Sequence, residues 1–498
     1  MDEKHEDWYF FKQFKMLLHN TEGLKQGSMI EDVLGRKMPA MSIFSLSIKY
    51  LKDHLMDTLQ NRVHGIVQED VHFVITVPAI WDDMAKQFMR DAAVKAGISN
   101  DQLSIVLEPE AAAVWCQKLD SMKTSTTTSS SMENLFRTGL RYMVVDLGGG
   151  TVDIAVHEIK QDGSLVELYK ATGGPWGGAC VDRGFIGFIS KLVGQEVVRE
   201  FSKKAMSDYI DLLREFETKK RSIKSDMDGK ITFTIPISIK EIFEKHNGEV
   251  KRAVSQPDFE GKIMWNKDKL RLEPSLAVRF FNESINGTVN HVKKLLSDPS
   301  VHNIDTLLLV GGFAECELVQ EAFKRNFKGK RIFIPEEAAL MVLKGAVILG
   351  HSPRAIIMRI ARFTYGAKIT PPFDPAIHPQ TKLIVYEGKD RCDDVFDKFV
   401  EIGDKLEIGH TVNKETRPIT DSQTDFAFAL YTSTVRAPKF VTDPSCRCLG
   451  HFNAPTKDGQ TRDDKTVVRT MIFGDTEIMF KVKHPKTGQE FKTFFQYE

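Results

Sequence analysis

The sequence is poor in cysteine and has no excess of charge of either sign. Six cysteines occur in 498 residues, and the one close pair, Cys446 and Cys448, lacks the second pair that a zinc site needs. Reduced thiols in the cytoplasm or the nucleus fit this usage. Lysine plus arginine and aspartate plus glutamate number 68 each, so the net charge does not point to nucleic acid or an anionic membrane surface.

Long apolar runs are also missing. The acidic start, MDEKHEDWYFF, has neither the basic part nor the apolar part of a secretory signal. No apolar run approaches the roughly 20 residues that cross a bilayer. The composition, 42% hydrophobic and 27% charged, is that of an ordinary globular protein, and the length predicts two to four domains.

The most distinctive stretch that is present runs over residues 142–153, YMVVDLGGGTVD. An apolar strand ends at Asp146, a tight turn follows, and a second strand begins after Thr151. The turn is formed by Gly148, Gly149 and Gly150. Glycine permits the turn and lets backbone N–H groups approach an anion, while Asp146 and Asp153 are placed to hold a metal-bound phosphate. A glycine-rich hairpin without a ligand is the alternative.

Strands and helices alternate before this stretch. VHFVITVPAIW predicts a buried strand, Asp82 starts a helix, LSIVLE predicts the next strand, and Pro109 stands at a first helical position. This alternation is typical of an α/β sheet. Nearer the start, WYFFKQFKMLLHN and residues 44–59 predict amphipathic helices. The second helix places on one face Leu46, Tyr50, Leu51, Leu55 and Leu59.

The rest of the chain divides by composition and hydrophobic pattern. Residues 123–132 predict a serine- and threonine-rich loop, 230–238 a half-buried strand, and 275–296 one long amphipathic helix. From about residue 354, short alternating runs between Gly, Pro and Asp turns predict a β-sandwich-like region. We therefore expect a first lobe at 1–140, a second lobe at 141–353 and a β-rich C-terminal domain at 354–498.

Other features are placed to meet one nucleotide together with the glycine turn. GGPWGG and LLLVGGF each deliver two glycines to a helix start, where N-terminal amides favour phosphate. Glu108 ends a strand, where its carboxylate either favours the helix N-terminus or orients a water molecule. The helix DYIDLLREFETKKRSIKS carries a polar face that, taken alone, fits a solvated, salt-bridged helix better. The residues concerned are Gly177, Gly178, Gly311, Gly312, Glu217, Lys220, Arg221 and Lys224.

In their order, DLGGGT, GGPWGG, E-x-x-K-R and LLLVGGF resemble the motifs of the actin-like ATPase superfamily. More narrowly, VITVPAIWDDMAKQFMRDAAVKAGI followed by LEPEAAAVW resembles the 70-kilodalton heat shock protein family. VPAIWDD, KQFMR, GGPWGG and the short β-rich tail are similar to its divergent heat shock 70 kDa protein 12 (12A/12B-like) subfamily. The resemblance covers nearly the whole chain. It implies an actin-like (ribonuclease H-like) two-lobe α/β ATPase domain that uses ATP and Mg²⁺.

The resemblance also implies roles for particular residues. The second phosphate loop, which holds the β- and γ-phosphates and hydrated Mg²⁺, matches Asp146, Gly148, Gly149, Gly150 and Thr151. Catalytic roles fall on Lys15, Glu108, Asp146 and Thr151, and metal-binding roles on Asp146 and Asp153. The other nucleotide contacts match Gly178, Glu217, Lys220, Arg221, Gly311, Gly312 and Glu336.

Some family features are missing. No D-x-G-T-T/S loop precedes Lys15, so the first half of the phosphate clamp and the opening strands are absent. The chain is either a truncated product of a longer ATPase or an isoform with impaired nucleotide chemistry, and the exposed sheet edge favours the first. The tail has no DLLLLD-like linker, no long helical lid and no EEVD ending, which argues against peptide clamping by the usual lid.

The resulting hypothesis is an ATP-binding, chaperone-related protein with nucleotide-dependent lobe closure and weak or impaired hydrolysis of ATP to ADP and phosphate. A non-hydrolysing interaction scaffold or truncated pseudo-ATPase is the alternative, and a small-molecule kinase is a distant third. The expected partners are ATP or ADP and client or signalling proteins, without nucleic acid or a membrane span, in the cytoplasm or the nucleus.

Overall fold

The computed structural model describes residues 8–19, 27–124, 136–455, 461–473 and 475–493, so most of the predicted loop at 123–132 lies outside the described residues. The helices are α1 (Ala40–Arg62), α2 (Asp83–Lys95), α3 (Glu108–Thr124), α4 (Gly178–Val193), α5 (Gln195–Lys204), α6 (Met206–Lys220), α7 (Ile237–Asn247), α8 (Lys251–Val254), α9 (Pro274–Val278), α10 (Asn282–Leu296), α11 (Glu317–Asn326) and α12 (Met341–His351).

The strands are β1 (Met29–Glu31), β2 (Lys37–Pro39), β3 (Phe73–Val77), β4 (Leu103–Leu107), β5 (Arg141–Leu147), β6 (Val152–Ile159), β7 (Leu165–Gly174), β8 (Ile231–Thr234), β9 (Ile263–Asn266), β10 (Lys269–Leu272), β11 (Thr306–Val310), β12 (Arg331–Phe333), β13 (Ile356–Ile360), β14 (Thr364–Ile369), β15 (Leu383–Tyr386), β16 (Lys389–Cys392), β17 (Val395–Val400), β18 (Lys405–Glu407), β19 (His410–Thr416), β20 (Asp425–Ser433), β21 (Cys446–Pro455), β22 (Val467–Phe473), β23 (Met479–Lys483) and β24 (Glu490–Thr493).

The central sheet has the order β12-β11-β5-β6-β7-β13-β18. β5 pairs parallel with β11 and antiparallel with β6. Its apolar side chains are buried on both faces: Met143 and Val145 pack in one cluster with α4 and α10, whereas Val144 packs in another with α3 and α12. A strand that is covered on both faces has a continuous run of apolar residues. This is why YMVV does not alternate between apolar and polar residues. The glycine turn leaves the sheet where β5 ends.

The first lobe contains the two-stranded parallel sheet β3-β4, packed with α1 and α2. Helix α1 forms as predicted, but it buries Ile43, Phe44 and Met56 rather than the predicted apolar face. That face is largely exposed, with Tyr50 at 73% and Leu51 at 67%. Periodicity identified the helix but not the side that packs, because apolar residues occur on both sides of it.

The C-terminal region forms two four-stranded sheets, β17-β14-β20-β21 and β19-β22-β23-β24. Phe428 and Phe480 from these sheets share a hydrophobic cluster with Phe88 of α2. Arg90 of α2 pairs with Glu477, and Arg362 donates to the carbonyl oxygens of residues 79, 80 and 81. The mixed α/β architecture with a β-rich C-terminal region is confirmed.

The domain limits stay a prediction. Strands from both sides of residue 353 share one sheet, because β13 pairs with β7, and β18 pairs with β13.

Three predicted elements have different limits. The strand predicted at 230–238 ends at Thr234, because Pro236 caps α7. The opening helix is reduced to a 3₁₀ turn, Phe14–His19, after Gln13, whose φ is 50°. The last helix begins at Met341, because Glu337 adopts a left-handed conformation.

The predicted helix at 275–296 is present as α9, a 3₁₀ turn and α10 in direct succession. Within the described part of the chain, no helix combines the length and the apolar character needed to cross a membrane.

Candidate nucleotide-binding site

The glycine turn is held against the start of α4 by backbone hydrogen bonds. The amide of Gly178 donates to the Gly148 carbonyl at 3.1 Å, and Ala179 donates to Gly149 at 2.7 Å. Gly177 has no room for a side chain, because a Cβ there would lie 2.6 Å from the Gly148 oxygen. The glycines of DLGGGT and GGPWGG therefore form one rigid unit at the end of β5.

A group of charged side chains lies beneath this unit. Lys15 Nζ pairs with Glu108 at 2.7 Å, and Asp153 Oδ1 accepts from the Ile80 amide at 2.9 Å. Asp146 and Asp153 are 4% and 1% exposed. Burial, with the nearby Glu108 adding to it, raises the pKa of Asp153 to about 7 and that of Asp146 well above its usual range. Two buried carboxylates of this kind favour a cation beside them.

A cavity of about 470 Å³ opens next to the glycine unit. Its walls come from the α4 start, α6, the end of β11 and the turn before α12. It is lined by Gly149, Gly178, Ala179, Asp182, Glu217, Lys220, Arg221, Phe281, Gly312, Phe313, Glu315, Cys316 and Ala339. Its volume falls in the range of small-molecule and cofactor sites.

The polar face of α6 borders the cavity in an ordered network. Lys220 Nζ lies 2.8 Å from Asp182 and also pairs with Glu217, which in turn holds Arg221 at 3.2 Å. Lys220 is 9% exposed, so its charge lies next to the α4 start rather than in solvent. The fourth residue of that predicted face, Lys224, pairs with Glu317 instead and does not line the cavity.

The opposite wall follows β11. Gly311 has a φ of 86°, and a Cβ on it would lie 2.4 Å from Asp146 Oδ1, so glycine is required for the strand to pass the carboxylate. Gly312 and Phe313 then line the cavity, and the Phe313 ring stacks with Phe281 at 6.5 Å between centroids. Phe281 is fully buried and Phe313 is 9% exposed, so the two rings support this wall from inside the core.

The structure brings together predicted residues from four separate motifs and leaves other predicted residues outside the cavity. Gly149, Gly178, Gly312 and the α6 residues share the cavity, whereas Glu336 is exposed and outside the lining. Sequence reasoning missed several lining residues, namely Asp182, Phe281, Glu315, Cys316 and Ala339. Of these, Asp182 had a usable signal, since it lies one helical turn beyond Gly178.

The donors for a divalent cation are incomplete in the protein alone. In the described ranges, no three His, Cys, Asp or Glu side chains are arranged to hold a metal ion. Mg²⁺ usually takes one or two carboxylates, with phosphate oxygens and water completing its shell. Asp146 and Asp153 fit that mode, so they are the residues that would hold the ion beside a phosphate chain.

The chain is similar in sequence to known proteins. The family model for Hsp70 protein matches residues 10–351. The chain is 31% identical over 536 residues to human heat shock 70 kDa protein 12B, with 96% of the chain and 78% of that protein covered. It is 34% identical over 527 residues to mouse heat shock 70 kDa protein 12A, with 95% and 77% covered. A chaperone protein HscA homolog of Acinetobacter baumannii (strain AYE) is 29% identical over 297 residues, covering 59% of the chain and 38% of that protein.

Proposed function

The chain belongs to the heat shock 70 kDa protein family, with its actin-like ATPase fold, and on that premise we propose that it is an ATP-binding, chaperone-related protein with weak or impaired hydrolysis. One observation carries the proposal. Three glycine turns far apart in sequence, and the charged face of α6, line a single cavity of nucleotide size. A salt-bridged helix face alone does not account for that convergence.

Different lining residues are suited to different parts of a nucleotide. The exposed Arg221 guanidinium presents a flat surface to a purine. Glu217 accepts hydrogen bonds at the ribose side. Lys220 faces the phosphates next to the start of α4, where the helix dipole adds a favourable field.

Hydrolysis at the terminal phosphate depends on the charged residues next to the glycine turn. Mg²⁺, when bound, neutralises charge on the phosphate oxygens. Asp146 and Asp153 would hold that ion, and Thr151 presents its hydroxyl beside Asp153. Glu108 orients a water molecule, but its ion pair with Lys15 ties up the carboxylate and the ammonium together. Hydrolysis therefore requires that pair to open, and this supports a slow reaction.

Binding is tested by titrating the full chain with Mg·ATP in a calorimeter. We expect saturation, and we expect Arg221→Ala to weaken binding by about tenfold, or about 1.4 kcal/mol, through loss of the stacking plane. Arg214→Ala, an exposed arginine on the same helix that pairs with Asp211, is the matched control and leaves the affinity unchanged. No binding at millimolar ATP would rule out the proposal.

Turnover is tested separately by phosphate release. We expect a slow release that falls in Thr151→Ala. Equal release from both proteins points to a contaminating ATPase and leaves the second candidate, a non-hydrolysing scaffold whose nucleotide is structural. The Lys15–Glu108 pair is the observation that favours this candidate. Client or signalling partners, nucleotide-dependent lobe closure, and a cytoplasmic or nuclear location belong to the same proposal.

A further inference from the structure

The cavity reaches the second glycine of the predicted phosphate loop but not the loop residues that follow it. Its lining includes Gly149 of the glycine turn and Gly178 at the start of α4. Gly150, Thr151 and Asp153, all within the described chain, are not part of that lining. A ligand seated against Phe313 and Lys220 therefore meets a boundary between the second and the third glycine of the turn.

Met16 forms that boundary. A Cβ placed on Gly150 would lie 2.5 Å from Met16 Sδ and 3.6 Å from its Cγ, so the thioether packs directly on the third glycine. A thioether offers no hydrogen-bond donor to a phosphate and accepts only weakly. A phosphate placed there would lose its hydration without gaining partners, which is strongly unfavourable for a charged group.

Neighbours hold Met16 in this position. Its backbone amide donates to the Gln13 carbonyl at 2.9 Å, which closes the turn. On one side Phe14 packs edge-on against Phe44 at 5.0 Å, and on the other Leu18 is fully buried. The adjacent Lys15 is fixed by its ion pair with Glu108. The thioether is therefore anchored through residues before and after it, rather than being a loose surface side chain.

The same N-terminal segment (residues 8–19) also reaches the second lobe. Lys12 Nζ lies 5.1 Å from the centre of the Tyr209 ring on α6, within cation–π distance. Asp182, which lines the cavity, also attracts Lys12. The segment thus crosses from the first lobe to α6, with Met16 over the glycine turn between them.

We propose that Met16 closes the terminal-phosphate end of the cavity, so that this chain binds a nucleoside diphosphate in preference to the triphosphate. The inference rests on the proposed nucleotide site and names the ligand class that the site takes. A diphosphate ends at Lys220, whose ammonium lines the cavity next to the start of α4. A triphosphate must displace the thioether and break its packing on Gly150.

The test compares Mg·ADP with Mg·ATP by calorimetry on the full chain. We expect the wild type to bind ADP about tenfold or more tightly than ATP, which is about 1.4 kcal/mol. Met16→Ala removes the boundary, so ATP binding tightens by about tenfold while ADP binding is unchanged. Met16→Leu restores the bulk and with it the preference for ADP. Met264→Ala, an exposed methionine on β9, leaves both affinities as in the wild type.

The possible results separate the two levels of the argument. Equal affinities in the wild type, or the same ADP preference in Met16→Ala as in the wild type, would overturn the role of Met16. Failure of every variant, and of the wild type, to bind either nucleotide would instead overturn the nucleotide site itself. A thermal unfolding scan of each variant shows that a change in the ratio comes from folded protein.

Discussion

Gly177 is the residue on which the glycine unit depends most directly. A methyl group there would lie 2.6 Å from the Gly148 oxygen and 2.7 Å from the Gly150 carbonyl carbon, both of them backbone atoms. We expect Gly177→Ala to push the turn away from α4, to cost about 1–3 kcal/mol of stability and to abolish nucleotide binding. Denaturant unfolding and nucleotide titration measure the two effects.

Gly187 provides the control in the same helix. A Cβ there meets nothing within 4 Å. Gly187→Ala should therefore stabilise the protein, by up to about 1 kcal/mol, because alanine is the better helix former. A Gly177→Ala protein as stable and as active in binding as Gly187→Ala would contradict the close contact described here.

Glu167 carries a pH dependence with a defined sign. It accepts from the amides of Ala171 and Ile360 and is 5% exposed. Burial raises its pKa from the usual 4.5 to about 7. The folded state therefore holds the proton more tightly than the unfolded chain, so this contribution is fully present below about pH 4.5 and is lost as pH rises through 7.

Charged neighbours of Glu167 are Glu110 on α3, Arg359 on β13 and Arg362 just after it. The cross-strand neighbour His157 contributes a pH dependence of stability with the opposite sign, because burial lowers its pKa to about 4. Glu167→Gln removes only the contribution of the glutamate to the pH dependence of stability. We expect the stability of the wild type, measured by denaturant unfolding, to decline relative to Glu167→Gln between pH 5 and pH 8. Parallel profiles would contradict this.

Helix α2 is the element that holds the β-rich region to the first lobe. Arg90 donates through Nε to Glu477 at 2.6 Å, and the two side chains are 5% and 13% exposed. Removing one partner of a buried pair leaves an uncompensated charge, so Glu477→Ala should cost about 3–5 kcal/mol. Chemical denaturation measures the change.

A surface pair shows the contrast. Lys240 and Glu244 are one helical turn apart on α7, separated by 3.7 Å, and their side chains are 35% and 44% exposed. Glu244→Ala should be indistinguishable from the wild type, because water and salt screen such pairs. If both substitutions changed the free energy of unfolding equally, the buried character of the Arg90 pair would be refuted.

At the scale of elements, much could be predicted from the sequence where a local rule sufficed. The i, i+3, i+4 spacing placed Glu217, Lys220 and Arg221 on one face, and that face borders the cavity. Partners across elements could not be predicted. Phe281 reaches the cavity from the turn before α10, and no periodicity states which element it meets. Met16 was overlooked for the same reason, since its contact with Gly150 spans the two lobes.

For the whole molecule, the distribution of hydrophobic clusters matters more than the predicted domain limits. One cluster joins Phe88 and Leu107 of the first lobe with Phe428 and Phe480 of the C-terminal sheets. Regions that share a core lose it together. We expect a single calorimetric transition, with hydrogen exchange of α2 and β20 rising at the same denaturant concentration. Two resolved transitions would show that the C-terminal region unfolds on its own.

The contact between Arg362 and the turn after β3 has a further consequence, for variation between sequences. Arg362 binds the carbonyl oxygen of Ile80, and Asp153 binds its amide. Both partners bind main-chain atoms, so these two hydrogen bonds do not depend on the side chain of residue 80. The connection between the C-terminal region and the cleft therefore tolerates a change of side chain at residue 80 that keeps the packing of Ile80 on the core. Proline is the exception, because it has no N–H to offer Asp153.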